Sequence, residues 1–264
     1  ENYGIDVLKK ISQSLSNPMN YSINHAMQDA TGKRGYELYQ EWVVELYQNY
    51  SIKTKDILQF EKKGIIILSE GTSNIHPVWA PNGDRFAYLS NKENDYFGQT
   101  DLFVYNFSDS TSEKIVDGVS TAPTWGNDST LIYTKRSLPN KGGSKYFDLY
   151  RYTFFDEKEQ RLTYNSRLIS PVYNNNLNNI VAITSYDGTS NIMISENIDI
   201  TDDSLLFKPL THLNNGIQLL SLAWHEGKLV TDGVYHEGRQ VYKVDLEVES
   251  EIIPITSGRW ENRD

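Results

Sequence analysis

One unit of roughly fifty residues recurs four times along most of this chain, and nothing else restricts its folding as strongly. A single aromatic residue sets the register of each unit: Trp79, Trp125, Tyr173 and Trp224, in the settings Pro-Val-Trp, Pro-Thr-Trp, Pro-Val-Tyr and Leu-Ala-Trp. Three more short runs follow each anchor in the same order. The second runs lie at 86–89, 131–134, 180–183 and 229–231, and the third at 102–105, 149–152, 192–195 and 241–244. Each unit closes on a run at 114–116, 160–163, 208–211 or 253–256, the last three ending in Leu-Thr or Ile-Thr. Runs this short cannot bury themselves. Four of them make a small twisted sheet, and sheets repeated at a fixed period stack around an axis as propeller blades. The predicted fold is mainly β: a β-propeller of four-stranded blades, with repeats at about 69–116, 117–163, 164–211 and 212–256.

Composition fits that reading. Of the 264 residues, 38% are apolar and 12% aromatic, with tyrosine and β-branched types dominating the apolar set, and such side chains suit pleated, half-buried surfaces. A net charge of −10 argues against the basic stripe that nucleic acids require and against attraction to an anionic membrane face. No run approaches the roughly eighteen apolar residues of a membrane-spanning helix. The lack of cysteine excludes disulfides, thiolate metal sites and cysteine nucleophiles, and it suits an oxidising periplasm or cell surface. The chain opens on Glu1 rather than Met, which reads as a processed or engineered start. Asn-x-Ser triplets at Asn20, Asn49, Asn106 and Asn127 arise by chance in a chain so rich in Asn and Ser.

Residues 1–58 differ from the rest and predict a small α-helical segment, with the propeller taking residues 59–264. Ile5, Val7, Leu8 and Ile11 have helical spacing, and a second helix from about Ile23 stops at Gly32. A third begins near Gly35. Its residues Leu38, Trp42, Leu46 and Tyr50 recur every fourth position, flanked by Tyr39, Val43 and Tyr47, which makes a wide apolar stripe on a helix of about four turns. Core packing is the expected use of that stripe, and a partner-binding groove is the alternative. Residues 51–63 are rich in charge and read as a connector. The run Ile65-Ile66-Ile67-Leu68 stands where a fourth strand would, and is expected to supply the outermost strand of the last blade.

Turn residues separate the runs. Pro81-Asn82-Gly83-Asp84 predicts a tight two-residue hairpin at Asn-Gly, and Asp187-Gly188 and Glu237-Gly238 supply the next hairpin in the third and fourth repeats. The four anchors are expected to fill the seams between blades, where a flat aromatic buries much area at little entropic cost. The third repeat departs most, with Tyr173 for Trp and Asn174-Asn175-Asn176 for its turn. The second carries a long insertion at 137–147, Ser-Leu-Pro-Asn-Lys-Gly-Gly-Ser-Lys-Tyr-Phe, expected to be flexible. It is either merely tolerated or a contact loop.

The stretch from Pro77 to Tyr88, Pro-Val-Trp-Ala-Pro-Asn-Gly-Asp-Arg-Phe-Ala-Tyr, resembles the WD40-like (PD40) repeat of TolB-type β-propellers. The resemblance runs over about residues 64–258 and weakens from the first repeat to the fourth. It implies a periplasmic or secreted bacterial module that binds other proteins without catalysis. Such rings have six blades or more, so the four repeats imply an incomplete ring, further blades in the same polypeptide, and a chain that is a fragment. The terminal Gly258-Arg259-Trp260-Glu261-Asn262-Arg263-Asp264 looks like the lead-in to a fifth anchor. At the other end, Ala26-Met27-Gln28-Asp29-Ala30-Thr31-Gly32-Lys33 with Leu38-Tyr39 and Trp42 is similar to the final helices of gluzincin-like metallopeptidase domains, which would put a zinc site upstream of Glu1.

The chemistry of such a peptidase needs His-Glu-x-x-His, and that motif is absent. His25, His76, His212, His225 and His236 are scattered and read as surface or packing residues. The nucleophile elbow Gly-x-Ser-x-Gly and the phosphate-cradling glycine motifs are absent too. Asp199, Asp202 and Asp203 lack the alternating ligands of a calcium loop and read as solvated. No catalytic residue, cofactor or metal ligand is assigned. The leading functional expectation is a non-catalytic protein- or peptide-binding module. The alternatives are an accessory propeller of a secreted zinc metallopeptidase and a carbohydrate-binding propeller.

Overall fold

A computed structural model describes residues 3–196, 204–225, 227–236, 238–245, 251–259 and 261–262. Contacts divide the chain into two compact units, residues 1–67 and 68–264.

The first unit is helical. Helix α1 spans Val7–Leu15, α2 Ile23–Thr31 and α3 Gly35–Gln59. Ser22 caps α2 by accepting from the His25 N–H, and Gly32 ends it in the left-handed conformation at φ 81°, as a glycine C-cap does. Gly35 starts α3 tight against α2: a Cβ there would meet Asn24 Oδ1 at 2.7 Å and Met27 Sδ at 2.8 Å. At 25 residues α3 is longer than its apolar stripe predicts. Tyr47, Tyr50 and Leu58 on its second half are exposed.

The second unit is mainly β, with four antiparallel four-stranded sheets arranged as propeller blades. Blade 1 comprises β1 (Asn74–Trp79), β2 (Arg85–Ser90), β3 (Asp101–Asn106) and β4 (Thr111–Val116). Blade 2 comprises β5 (Thr124–Asn127), β6 (Thr130–Arg136), β7 (Phe147–Thr153) and β8 (Lys158–Arg161). Blade 3 comprises β9 (Leu168–Asn174), β10 (Asn179–Tyr186), β11 (Thr189–Ser195) and β12 (Phe207–Pro209), and blade 4 β13 (Gln218–His225), β14 (Lys228–Tyr235), β15 (Gly238–Val244) and β16 (Ile252–Pro254). The first strands of successive blades are neighbours, from β1 through β5 and β9 to β13, whereas no described strand of blade 4 meets blade 1. The blades form an open arc.

Three seams hold the arc together. Ala87, Leu89, Leu102 and Val104 of blade 1 pack on Trp125, Leu131, Tyr133 and Tyr150 of blade 2. Ile132 and Leu149 meet Leu168, Ile180 and Ala182 at the next seam, and Val181, Ile183 and Ile192 meet Leu219, Leu229 and Tyr242 at the last. Alternation explains this. Ala87 and Leu89 point to one face of β2 while Phe86 and Tyr88 point to the other, where they join Phe103 and Tyr105 in a cluster confined to blade 1 and flanked by Leu68.

The repeat signatures have structural causes. Pro77 and Pro171 lie where the inner strands β1 and β9 slip register against β2 and β10, beside His76 and Ser170 at positive φ. An inner edge strand with a bulge is where a residue lacking an N–H costs least. The closing threonines are equivalent too. Thr163, Thr211 and Thr256 each accept at 2.9 Å from a third-strand N–H, that of Leu149, Ile192 and Val241 respectively. Each also donates to the residue before it: Asp148 at 3.2 Å, Asn191 at 2.9 Å and Gln240 at 2.7 Å.

Two local expectations are corrected. Residues 61–69 form no strand and blade 4 takes its outer strand from its own repeat, as β16, so Ile65–Leu68 supplies no strand to the four blades described. Pro81–Asp84 is a four-residue loop: the Ala80 N–H donates to Arg85 O at 3.0 Å and Gly83 N–H to Ala80 O at 2.9 Å. Pro81 presets the φ of the second turn position, which favours this wider turn over a two-residue one. Asp187-Gly188 is a two-residue turn, with φ of 50° and 75° between the paired Tyr186 and Thr189. Its fourth-repeat counterpart includes Glu237, which lies outside the described residues, as do Asp199, Asp202, Asp203 and Trp260.

Candidate functional site

The four anchors occupy unlike settings. Trp125 is 5% exposed and its indole N–H donates to the Val78 carbonyl of blade 1 at 2.9 Å. It stacks on Phe154 with centroids 5.7 Å apart and planes 15° apart. The Arg85 guanidinium of blade 1 lies 5.2 Å from Trp125 and 4.5 Å from Phe154, and it donates to the Asp128 carbonyl. Asp128 Oδ1 accepts from Asn82 N–H at 2.9 Å, so the blade 1 turn docks on the blade 2 turn. Tyr173 and Trp224 are half-buried and pack against the second and third seams. Trp79 is 57% exposed.

A cleft of about 900 Å³ opens where the β2–β3 loop and the β4–β5 connection of blade 1 meet blade 2. The insertion borders it, with Leu138 and Lys145 among its lining residues. The insertion is tied down: Ser137 N–H donates to Tyr146 O at 2.8 Å and Asn140 N–H to Ser144 O at 2.9 Å, while Asn140 Oδ1 accepts from Gly142 and Ser144 at 2.9 and 3.0 Å. An Asn side chain bonding its own backbone two residues on is an Asx turn, so this loop has a defined shape rather than the flexible one its Gly-Gly suggests.

Charge in the cleft is sorted. Lys135 pairs with Glu159 and lies 4.8 Å from the Tyr150 ring centroid. Tyr133 donates to the same Glu159 at 2.6 Å. Burial, reinforced by Glu159, holds the Tyr133 phenol well above its ordinary pKa, so it stays a neutral donor. Burial raises Tyr150 as well. At the rim, Lys114 bridges Asp117 and Glu93, each at 3.0 Å, and the hydrogen bonds it donates to those carboxylates raise its pKa. Arg161 binds the fully buried Asp148 at 2.6 Å, whose other partners include the Asn165 and Ser166 N–H groups at 3.1 and 2.8 Å.

The carboxylates of the cleft are thus satisfied within the protein. Arg136 and Lys145 differ, because both are exposed and neither has an ion-pair partner among the described residues. Arg136 lies over Phe147, 5.2 Å from its ring centroid, a contact that uses no hydrogen-bond donor and leaves the guanidinium N–H groups for a ligand. The chemistry on offer is cation and donor recognition. The insertion was legible as the longest departure from the repeat, whereas the sorting of its charges depends on residues of β4, β6 and β8 that sequence spacing does not bring together. His25, His76 and His225 lie on α2, β1 and β13 and His212 and His236 in connections, and among the described residues no group of three His, Cys, Asp or Glu could hold a metal ion.

No protein-family model matches the chain, and no curated protein matches it in sequence. Solved structures resemble it in fold. TolB from Acinetobacter baumannii superposes with a TM-score of 0.55 at 18% identity, over 72% of this chain and 45% of that one. A putative TolB from Agrobacterium tumefaciens gives 0.54 at 15%, over 72% and 68%. A puromycin-hydrolyzing peptidase from Mycobacterium tuberculosis gives 0.51 at 13%, over 72% and 30%. The chain therefore spans less than half of the first and about two thirds of the second, and what these likenesses establish is a TolB-like β-propeller fold.

Proposed function

We propose that this chain is a non-catalytic binding module, exported to the periplasm or cell surface of a bacterium, whose propeller takes an acidic segment of a protein or peptide at the cleft beside residues 137–147. The observation that carries the reading is the pair of uncompensated cations, Arg136 and Lys145, in a cleft whose carboxylates are all engaged. In a chain of net charge −10, a local surplus of positive charge selects against the bulk of its own surface and for an anionic partner. The lack of cysteine and the TolB-like fold support the location. The test is calorimetric titration with a short Glu-rich peptide and a neutral peptide of equal length. The Glu-rich peptide binds, binding weakens as salt rises, and Arg136→Gln with Lys145→Gln removes it without lowering the melting temperature. Equal binding of both peptides, or of neither, overturns the reading.

A second reading makes the chain the accessory propeller of a secreted zinc metallopeptidase whose active site lies outside residues 1–264. It rests on the similarity of residues 26–33, Leu38, Tyr39 and Trp42 to the last helices of such enzymes. Chelator-sensitive proteolysis by the protein from its natural source is its test.

A further inference from the structure

Strand pairing in blade 2 runs past the ends of β6 and β7. Arg136 stands opposite Phe147 as the last pair of those strands, and one step further the Ser137 N–H donates to Tyr146 O at 2.8 Å. Alternation then turns Arg136, Leu138, Lys145 and Phe147 to one side of this extension, and Ser137 and Tyr146 to the other. The first four all line the cleft. The back of the extension is engaged: Ser137 is 3% exposed, and Arg167 lies 4.8 Å from the Tyr146 ring centroid. Its front is open. Leu138 is 85% exposed on a loop whose shape the Asn140 side chain holds, so this exposure belongs to the folded loop.

These four side chains make a checkerboard. Each of the two chain segments reads a cation and then, two positions on, an apolar residue: Arg136 with Leu138, and Lys145 with Phe147. Because the segments are antiparallel, the cations lie on one diagonal and the apolar groups on the other. Arg136 is also unlike the other cations that lie over rings among the described residues of the propeller. Arg85 also donates to the Asp128 carbonyl, Lys92 pairs with Glu70 at 3.3 Å, Lys135 with Glu159 and Arg161 with Asp148 at 2.6 Å. Arg167 hydrogen-bonds the Tyr146 phenol. Arg136 has its ring and, among the described residues, no acceptor.

We infer that the segment held in this cleft is extended and carries an acidic and an apolar side chain two residues apart, one such pair lying along Arg136 and Leu138 or along Lys145 and Phe147. An extended chain turns alternate residues to one side at a spacing of about 6.5–7 Å, which is the spacing of each row of the checkerboard. The carboxylate takes the free N–H groups of the cation, and the apolar side chain covers Leu138 or Phe147 and removes their area from water. An acid directly beside an apolar residue would face the opposite way from it, so only one of the two would reach the cleft. The inference rests on the reading of this cleft as a site for acidic segments, and adds the pattern by which such a segment is recognised.

The test is calorimetric titration of the full chain with three peptides of equal length and charge. One repeats Glu-Ser-Leu-Ser, one has the same composition but repeats Glu-Leu-Ser-Ser, and in the third Ser replaces every Leu. The first is expected to bind about tenfold more tightly than either of the others, the gain from partly burying an apolar side chain. Leu138→Ser, at an exposed position, brings the first peptide to the level of the other two without changing the melting temperature, and Arg136→Gln with Lys145→Gln weakens all three. Equal affinity for all three peptides, or for the first two, overturns the inference and leaves the acidic-segment reading standing. A preference for the first peptide that survives Leu138→Ser overturns it as well. If none of the three binds, the inference and the reading beneath it both fall.

Discussion

Blades 1 and 2 turn nearly identical aromatic faces in the same direction around the arc, and only one of those faces is covered. On blade 2, Trp125 is buried, hydrogen-bonded to Val78 and capped by Arg85. On blade 1, Trp79 stacks on Phe107 with the same geometry yet stands open. The local motif builds the stack in both places, and the neighbouring blade decides whether the stack contributes to stability. An anchor in this repeat is a bid for a seam, and its energetic weight belongs to the pair of blades.

The largest effect expected from that comparison is at Trp125. Trp125→Ala removes the centre of the first seam, and a buried aromatic truncated in a packed core costs about 3–5 kcal/mol. Urea denaturation of the monomer measures it, and a cost under about 1 kcal/mol would show that the seam is not the unit of stability.

An intermediate effect is expected from pH on the same face of blade 2. Tyr133 is buried there with its pKa raised above the ordinary 10.0, so its neutral form favours the folded state. That contribution is complete below pH 10 and declines as the pH rises above it, since the unfolded phenol ionises first. The melting temperature should fall through alkaline pH, and Tyr133→Phe should flatten the fall while losing the hydrogen bond to Glu159. An unchanged alkaline slope in that variant would assign the effect to other tyrosines.

The smallest effect is at Trp79. Trp79→Ala in the monomer should change stability by no more than about 0.5 kcal/mol, as exposed substitutions do. Together with the Trp125 result it gives one residue type, at one repeat position, two different weights. A large loss at Trp79 would mean that its face is covered in the monomer.

The pattern of short runs at a constant period was enough to establish the blades, their number among residues 69–256 and their four-stranded order, because period and alternation are carried by each segment of the chain on its own. The closing Leu-Thr and Ile-Thr were visible as letters, and their use as hydrogen-bond stations for the third strand emerged only with β7, β11 and β15 beside them. The run at 65–68 has the composition of a strand, but pairing needs a free edge in register, and β16 already occupies that edge of blade 4. Likewise Asn-Gly at 82–83 promised a two-residue turn until Pro81 widened it. At the cleft, the insertion could be picked out from sequence, but the isolation of Arg136 and Lys145 could not. Whether a cation is spent depends on which carboxylates the fold brings within reach, and Glu159 reaches Lys135 across the sheet. Periodicity is a property of the chain, whereas burial and charge balance are properties of neighbours, and neighbours are set only when blades pack.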